Sequence, residues 1–160
     1  MELTTGADIS VMDRGKIQAQ VLLPLVRALR EEIGEERTNE ILRRALDEAA
    51  RERIRDEAQQ LEGTPLEKFE TMMRRAGADN APKLEMEMLE ATPQTLRFNV
   101  HSCKYAELFT ALGEPELGAM LHCAADFPMA EVGGAAVEFT RSQTLMQGET
   151  HCDFCYRIKR

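Results

Sequence analysis

Every cysteine and histidine of this chain lies between His101 and Cys155: Cys103, Cys123, Cys152 and Cys155, with His101, His122 and His151. Thiols and imidazoles serve proteins as nucleophiles, acids, bases and soft metal ligands. Their confinement to the last third places the chemistry there and leaves the front half a scaffolding role. His122, Cys123 and Asp126 fall within one helical turn and its edge. At i,i+4 and i,i+3 spacing, the imidazole and the thiol can both approach the same carboxylate. That set is raw material for nucleophilic or acid–base catalysis. The plainer reading is a buried thiol packing as a small hydrophobe beside an ordinary His–Asp surface pair.

Cys152-Asp153-Phe154-Cys155 is formally a Cys-x-x-Cys, but its flanks read as a strand, where residues three apart point to opposite faces. It is therefore a poor redox or metal knuckle. A mixed zinc site drawing on Cys103, Cys123, Cys152 and a histidine would lack the two close-spaced ligand pairs that make zinc motifs specific. Zinc is thus possible but not favoured, and no other cofactor is expected. Arg141 is in phase with Val137 and Phe139 on a strand pattern. A buried arginine needs an anion, and Asp126, Asp153 or a ligand carboxylate would each serve. Thr140, Ser142 and Thr144 fall on the alternate, solvent-facing side.

The elements that must position these residues are legible from periodicity. A helix is expected from about Asp8 to Ile33, with Ile17, Val21, Leu25 and Leu29 recurring every four positions and Pro24 kinking or splitting it. Gly34 stops it. A second helix runs from Thr38 to about Leu61 on the stripe Ile41, Ala45, Ala49 and Ala58. A third opens with Thr64 as N-cap and Pro65 at N1, carries Phe69, Met72 and Met73, and stops near Gly77. The period then drops to two. Leu84, Met86 and Met88 alternate with their neighbours, Thr92-Pro93-Gln94 turns, and Leu96, Phe98 and Val100 return, which predicts a hairpin. Short helices follow over Cys103–Leu112, from Pro115 and around Met129. Strands then cover Val137 to Arg141 and Cys152 to Ile158, with a turn at Gly148. The fold class is α+β: a helical N-terminal half packed on a small antiparallel four-stranded sheet with intervening helices. The 160 residues read as one domain, with 1–80 as scaffold and 81–160 carrying the site.

With 43% hydrophobic and 30% charged residues the composition is that of an ordinary globular protein. The net charge of −8 provides no basic face for nucleic acid, and the arginines of the second helix are interleaved with acids. There is no apolar run of about 18 residues and no signal-peptide pattern, which points to no membrane and a cytoplasmic location. The nine methionines suit an irregular core or an adaptable pocket. Self-association into a homo-oligomer is compatible with the sequence.

The order of motifs resembles the L-2-amino-thiazoline-4-carboxylic acid hydrolase family. The resemblance rests on Cys103-Lys104-Tyr105-Ala106-Glu107, on Leu112-Gly113-Glu114-Pro115-Glu116-Leu117 and on Leu121-His122-Cys123-Ala124-Ala125-Asp126. It continues through Phe139-Thr140-Arg141-Ser142-Gln143-Thr144-Leu145, then Gly148 and Cys152-Asp153-Phe154. It covers roughly residues 95 to 158, and Cys155 departs from it where a basic or aromatic residue is expected. The resemblance implies a hydrolase that opens a small cyclic amidine at a carbon–nitrogen or neighbouring carbon–sulfur bond. A carboxylated heterocycle is the substrate and a carbamoyl amino acid the product. Its motif positions are Cys103, Cys123, Asp126, Arg141, Thr144, Cys152 and Asp153. On that footing Cys123 is the expected nucleophile, with Asp126 as its proton partner or as base for a water, and His122 or His101 as acid. Arg141, Thr144, Asp153 and Cys103 are expected to hold the substrate, and Cys152 is the alternative nucleophile. The end of the last strand is also similar to ligand-sensing domains related to vinyl reductases, which bind small molecules without turning them over.

Overall fold

The computed structural model describes residues 11–80 and 84–159. The expected start of the first helix at Asp8 lies outside them. The chain divides after Glu40 into two compact units.

In the first unit, α1 (Val11–Ile33) is continuous through Pro24. A proline removes one donor and strands the carbonyl four residues back, here that of Gln20. Both residues are exposed, and the helix is not split. The face that α1 buries is not the expected one. Ala19, Leu23 and Val26 are buried, whereas Ile17, Val21, Leu25 and Leu29 are 40–61% exposed. Apolar residues occupy most of the positions from Ile17 to Leu29, so periodicity alone could not choose between two faces. Gly34 ends the helix at φ +84°, its N–H bonded to the Arg30 carbonyl at 3.1 Å.

The second unit takes over α2 (Glu35–Gln59) from Ile41 onward. Its inward side matches the expected stripe in part: Ile41 and Ala58 are half-buried but Ala45 and Ala49 are exposed, while Leu42, Leu46 and Ala50 are half-buried and Ile54 is buried. The larger leucines outcompete alanines for burial because they remove more apolar surface from water. α3 (Pro65–Asn80) begins with the expected cap: Thr64 N–H donates to Glu67 Oε2 at 2.7 Å and Glu67 N–H to Thr64 Oγ1 at 3.4 Å. This reciprocal pair is a capping box. The helix continues through Gly77, where a glycine is tolerated at modest cost.

β1 (Leu84–Ala91), β2 (Thr95–Cys103), β3 (Val137–Thr140) and β4 (Cys152–Ile158) form one antiparallel sheet in the order β1-β2-β4-β3. The fold is α+β, and the two expected hairpins are joined through β2 and β4. The register pairs Val100 with Cys152, Phe98 with Phe154 and Leu96 with Tyr156, and sets Phe139 opposite Tyr156. With side chains alternating, one face carries these apolar groups and Cys152. The other carries Arg97, Asn99, His101, Asp153 and Cys155. Helices pack on the first face. Phe69 of α3 meets Tyr156 with its ring tilted, centroids 5.6 Å apart, and Phe127 of α6 (Asp126–Glu131) meets Phe139 at 5.1 Å. Phe69, Ala130 and Tyr156 are the buried centre of this core.

Between β2 and β3 lie α4 (Lys104–Ala111), α5 (Pro115–Gly118), a π-helical turn over Ala119–Cys123 and α6. Gly118 is required where α5 crosses α4 and the 3-10 turn Leu145–Gln147. A Cβ there would lie 2.6 Å from Phe109 Cβ and 2.7 Å from Met146 Sδ. Among the described residues no helix is long and apolar enough to cross a membrane.

Candidate active site

Arg141 is the centre of the site. It stands one residue past the end of β3, still in phase with Phe139, and its side chain is only 7% exposed. Nη1 donates to Asp126 Oδ2 and Nη2 donates to the Cys123 carbonyl at 3.1 Å. The guanidinium lies 5.5 Å from the ring centre of Phe127 and 5.3 Å from that of Phe154. Two aromatic faces and a carboxylate thus satisfy a cation withdrawn from water. Of the anions open at the sequence level, the protein supplies Asp126.

Three thiols gather around this pair. Cys123 is close enough to feel the charges of Asp126 and Arg141 and the sulfurs of Cys152 and Cys103. Burial pushes the Cys123 thiol up to about 12, with Asp126 adding to the rise and Arg141 opposing it. Burial also raises Cys152, against the Leu145 N–H, which donates to its sulfur at 3.2 Å, and against Arg141. Cys103 is the N-cap residue of α4. Burial raises it as well, opposed by the Ala106 and Tyr105 amides. Its sulfur makes no well-formed cap bond, so those amides act as dipoles rather than as full donors. All four cysteines are free thiols, and at neutral pH these three are protonated. Burial likewise raises the carboxyl of Asp126 to about 6, with Arg141 pulling the other way.

The π turn decides where the neighbours of Cys123 point. Ala124 N–H bonds the Ala119 carbonyl, five residues back, at 2.9 Å. The i,i+4 geometry expected for His122 and Asp126 presumes a regular α-helix, and here the extra residue rotates the chain between them. His122 stacks on Tyr105 at 4.1 Å and meets Phe109 at 5.3 Å, while Asp126 meets Arg141. Burial lowers His122 to about 4, so the imidazole is neutral, and its Nε2 is buried without a hydrogen-bond partner.

Thr144 is buried rather than solvent-facing. It caps the 3-10 turn Leu145–Gln147, its Oγ1 accepting from Gln147 N–H at 3.2 Å and donating to Gln147 Oε1 at 2.9 Å. The chain turns there because the strand pattern ends at Thr140, and Gly148 completes the turn at φ +89°. Asp153 points to the opposite sheet face from Cys152. Its carboxylate accepts from Ser142 N–H at 2.9 Å, from Ser142 Oγ at 2.6 Å and from Gln143 N–H at 2.8 Å. Burial would raise its pKa, but these donors outweigh burial and hold it below the ordinary carboxylate range. Asp153 thus clamps the segment that carries Arg141. His101 and His151 share that face, 5.7 Å apart, with His101 Nε2 2.9 Å from Glu87 Oε2.

The structure therefore brings together Cys103, Cys123, Asp126, Arg141 and Cys152. It stacks His122 against α4, puts Thr144 into the adjoining turn, and sets Asp153 behind the sheet. Sequence reasoning missed Tyr156 as a site neighbour. It is buried, in phase with Cys152, and close enough to Asp126 and Arg141 to feel both charges. The alternation Cys152, Phe154, Tyr156 is the signal that marks it. A separate groove of about 390 Å³ is lined by Ile54, Pro65, Pro128 and Val132, with Arg55 and Lys68 among its cations. None of the expected site residues reaches it. Among the described residues no group of three His, Cys, Asp or Glu side chains is arranged to hold a metal ion.

No curated protein matches the chain. Among solved structures, the crystal structure of the phenol-responsive sensory domain of the transcription activator PoxR with phenol is similar over 86% of this chain and 73% of that one. The identity is 12% and the TM-score 0.48. A family model describing L-2-amino-thiazoline-4-carboxylic acid hydrolase matches residues 14–156, nearly the whole length and well beyond the segment whose motifs resemble it. The chain belongs to the L-2-amino-thiazoline-4-carboxylic acid hydrolase family.

Proposed function

We propose that the protein hydrolyses a small carboxylated cyclic amidine of the 2-amino-thiazoline-4-carboxylate type, using Cys123, Asp126 and Arg141. The observation that carries this reading is the convergence of three thiols on one Arg141–Asp126 pair. Arg141 is suited to a substrate carboxylate because a guanidinium recognises that group in a fork. A substrate carboxylate arriving there competes with Asp126 for the same donors. Losing them leaves Asp126 a stronger base beside Cys123. This exchange matters because burial raises the Cys123 thiol far above the Asp126 carboxyl, so proton transfer between them is uphill in the resting protein. Binding and base activation are then one event.

In the reaction the Cys123 sulfur adds to the amidine carbon as its proton passes to Asp126. The ring carbon–sulfur bond breaks and the ring sulfur leaves with that proton. Water then attacks the same carbon and displaces the Cys123 sulfur. The sum is substrate plus water giving N-carbamoyl-cysteine, with the enzyme regenerated. Neutral His122 acts here as a hydrogen-bonding partner through its unpaired Nε2 rather than as a charged acid. Cys152, whose sulfur already accepts from Leu145 N–H, is the alternative nucleophile.

Purified protein incubated with 2-amino-thiazoline-4-carboxylate and followed by mass spectrometry tests this. The ring-opened product should form, and Cys123→Ala should lower turnover by at least about 10³-fold. Loss in Cys152→Ala alone would transfer the nucleophile role to Cys152. Substrate bound and recovered unchanged would make this a binding domain.

A further inference from the structure

We propose that α1 is a self-association surface on which two copies of the chain pair antiparallel about Leu25. Val21 and Leu25 are 61% and 57% exposed, and Leu29, Ile33 and Ile17 are 40%, 44% and 48% exposed. Five large aliphatic side chains on one helix are more than scattered surface hydrophobics, and such patches on soluble proteins mark contact sites. With about 100° of rotation per residue, Val21, Leu25 and Leu29 form the centre of this face. Ile17 and Ile33 flank it on opposite sides.

The pattern is self-complementary under a two-fold axis at Leu25. Antiparallel pairing sets Val21 against Leu29 of the second copy, Leu22 against Ala28, and Leu25 against its own equivalent. A symmetric dimer requires such an arrangement, one patch meeting itself. Charge selects the direction. Arg14 and Glu32 are both exposed and lie at opposite ends of the face that Leu25 centres. Antiparallel pairing places Arg14 within about one helical turn of Glu32 of the second copy, twice over. Parallel pairing would set Arg14 against Arg14 and Glu32 against Glu32. Charge also permits the approach. Residues Val11–Ile33 hold four basic and three acidic side chains, while the whole chain carries −8. α1 is thus a region where two strongly acidic molecules meet with little repulsion. A lipid surface is the poorer occupant, because anionic headgroups would face a net charge of −8.

Analytical ultracentrifugation of the full chain over micromolar to near-millimolar concentration tests this. The expected result is a reversible species of twice the chain mass. Leu25→Glu should abolish it while leaving circular dichroism and the melting temperature unchanged, since the side chain is exposed. Arg14→Glu should weaken association by roughly tenfold, and Arg14→Glu with Glu32→Arg should restore it. Leu25→Cys should cross-link through the new thiol on mild oxidation, whereas Lys16→Cys, on the opposite side of α1, should not. A monomer at every concentration overturns the proposal. So does a dimer that survives Leu25→Glu, or one that Arg14→Glu leaves as tight as the parent.

Discussion

Asp126 is held by two opposing influences, burial raising its carboxyl to about 6 and Arg141 drawing it down. If it acts as the base, kcat/KM should rise with pH through an apparent pKa near 6, and Asp126→Asn should remove both that limb and most of the rate. Stability runs the other way. The folded protein binds this proton more tightly than the unfolded chain, whose carboxyl keeps the ordinary 3.8. The contribution to folding is fully present below 3.8 and is lost as pH rises through about 6. Melting temperatures of wild type and Asp126→Asn across pH 3 to 8 check this, because the variant should lose that pH-dependent component. Arg141→Lys should raise KM more than it lowers kcat, since an ammonium replaces the fork with a point charge and leaves Phe127 and Phe154 without their planar partner. From sequence, Arg141 could be assigned an anion but not which one. The choice of Asp126 follows from a chain reversal between α6 and β3 that no local spacing encodes.

Elements set these residues with unequal legibility. The period-two runs were fully readable: Leu84 to Met88, Leu96 to Val100 and Cys152 to Ile158 lie in strands of one antiparallel sheet. The Thr64–Glu67 cap was half visible, with Thr64 and Pro65 read and the reply from Glu67 not. The π turn was invisible, because nothing in Ala119–Cys123 forbids an α-helix. Gly118→Ala should cost about 1–3 kcal/mol in chemical denaturation, through a Cβ forced against Phe109 and Met146. Asp153→Ala should free the Ser142–Gln143 backbone from its carboxylate. Stability should fall by roughly 1–3 kcal/mol as those donors lose their acceptor. KM should rise as Arg141 loses its anchor. Asp153→Asn keeps some acceptor capacity and should fall between, which separates a clamp from a residue that touches substrate.

At the scale of the molecule, all of the gathered thiols and both charges lie beyond residue 100, while the two compact units divide after Glu40. Sequence reasoning did not foresee that α1 turns its more regular stripe outward. Ile17, Val21, Leu25 and Leu29 repeat more cleanly than Ala19, Leu23 and Val26, yet the second set is buried. Periodicity reports that a face is apolar, not what covers it. The sheet is used on both sides, with thiols beneath the helices and the Asp153 clamp and two histidines behind. Neighbouring residues such as Cys152 and Asp153 therefore serve separate ends.

The π turn makes chain length itself a determinant of the site. A substitution between Ala119 and Cys123 changes one side chain and leaves the others aimed as they are. Deleting a single residue there would relax the segment to an ordinary helix and swing everything beyond it by about 100° relative to everything before. Asp126 would then part company with Arg141, or His122 with Tyr105 and Phe109, although every amino acid of the site was still present. In descent, such an arrangement could be lost in one step through a missing codon, and regained by replacing that codon with almost any other.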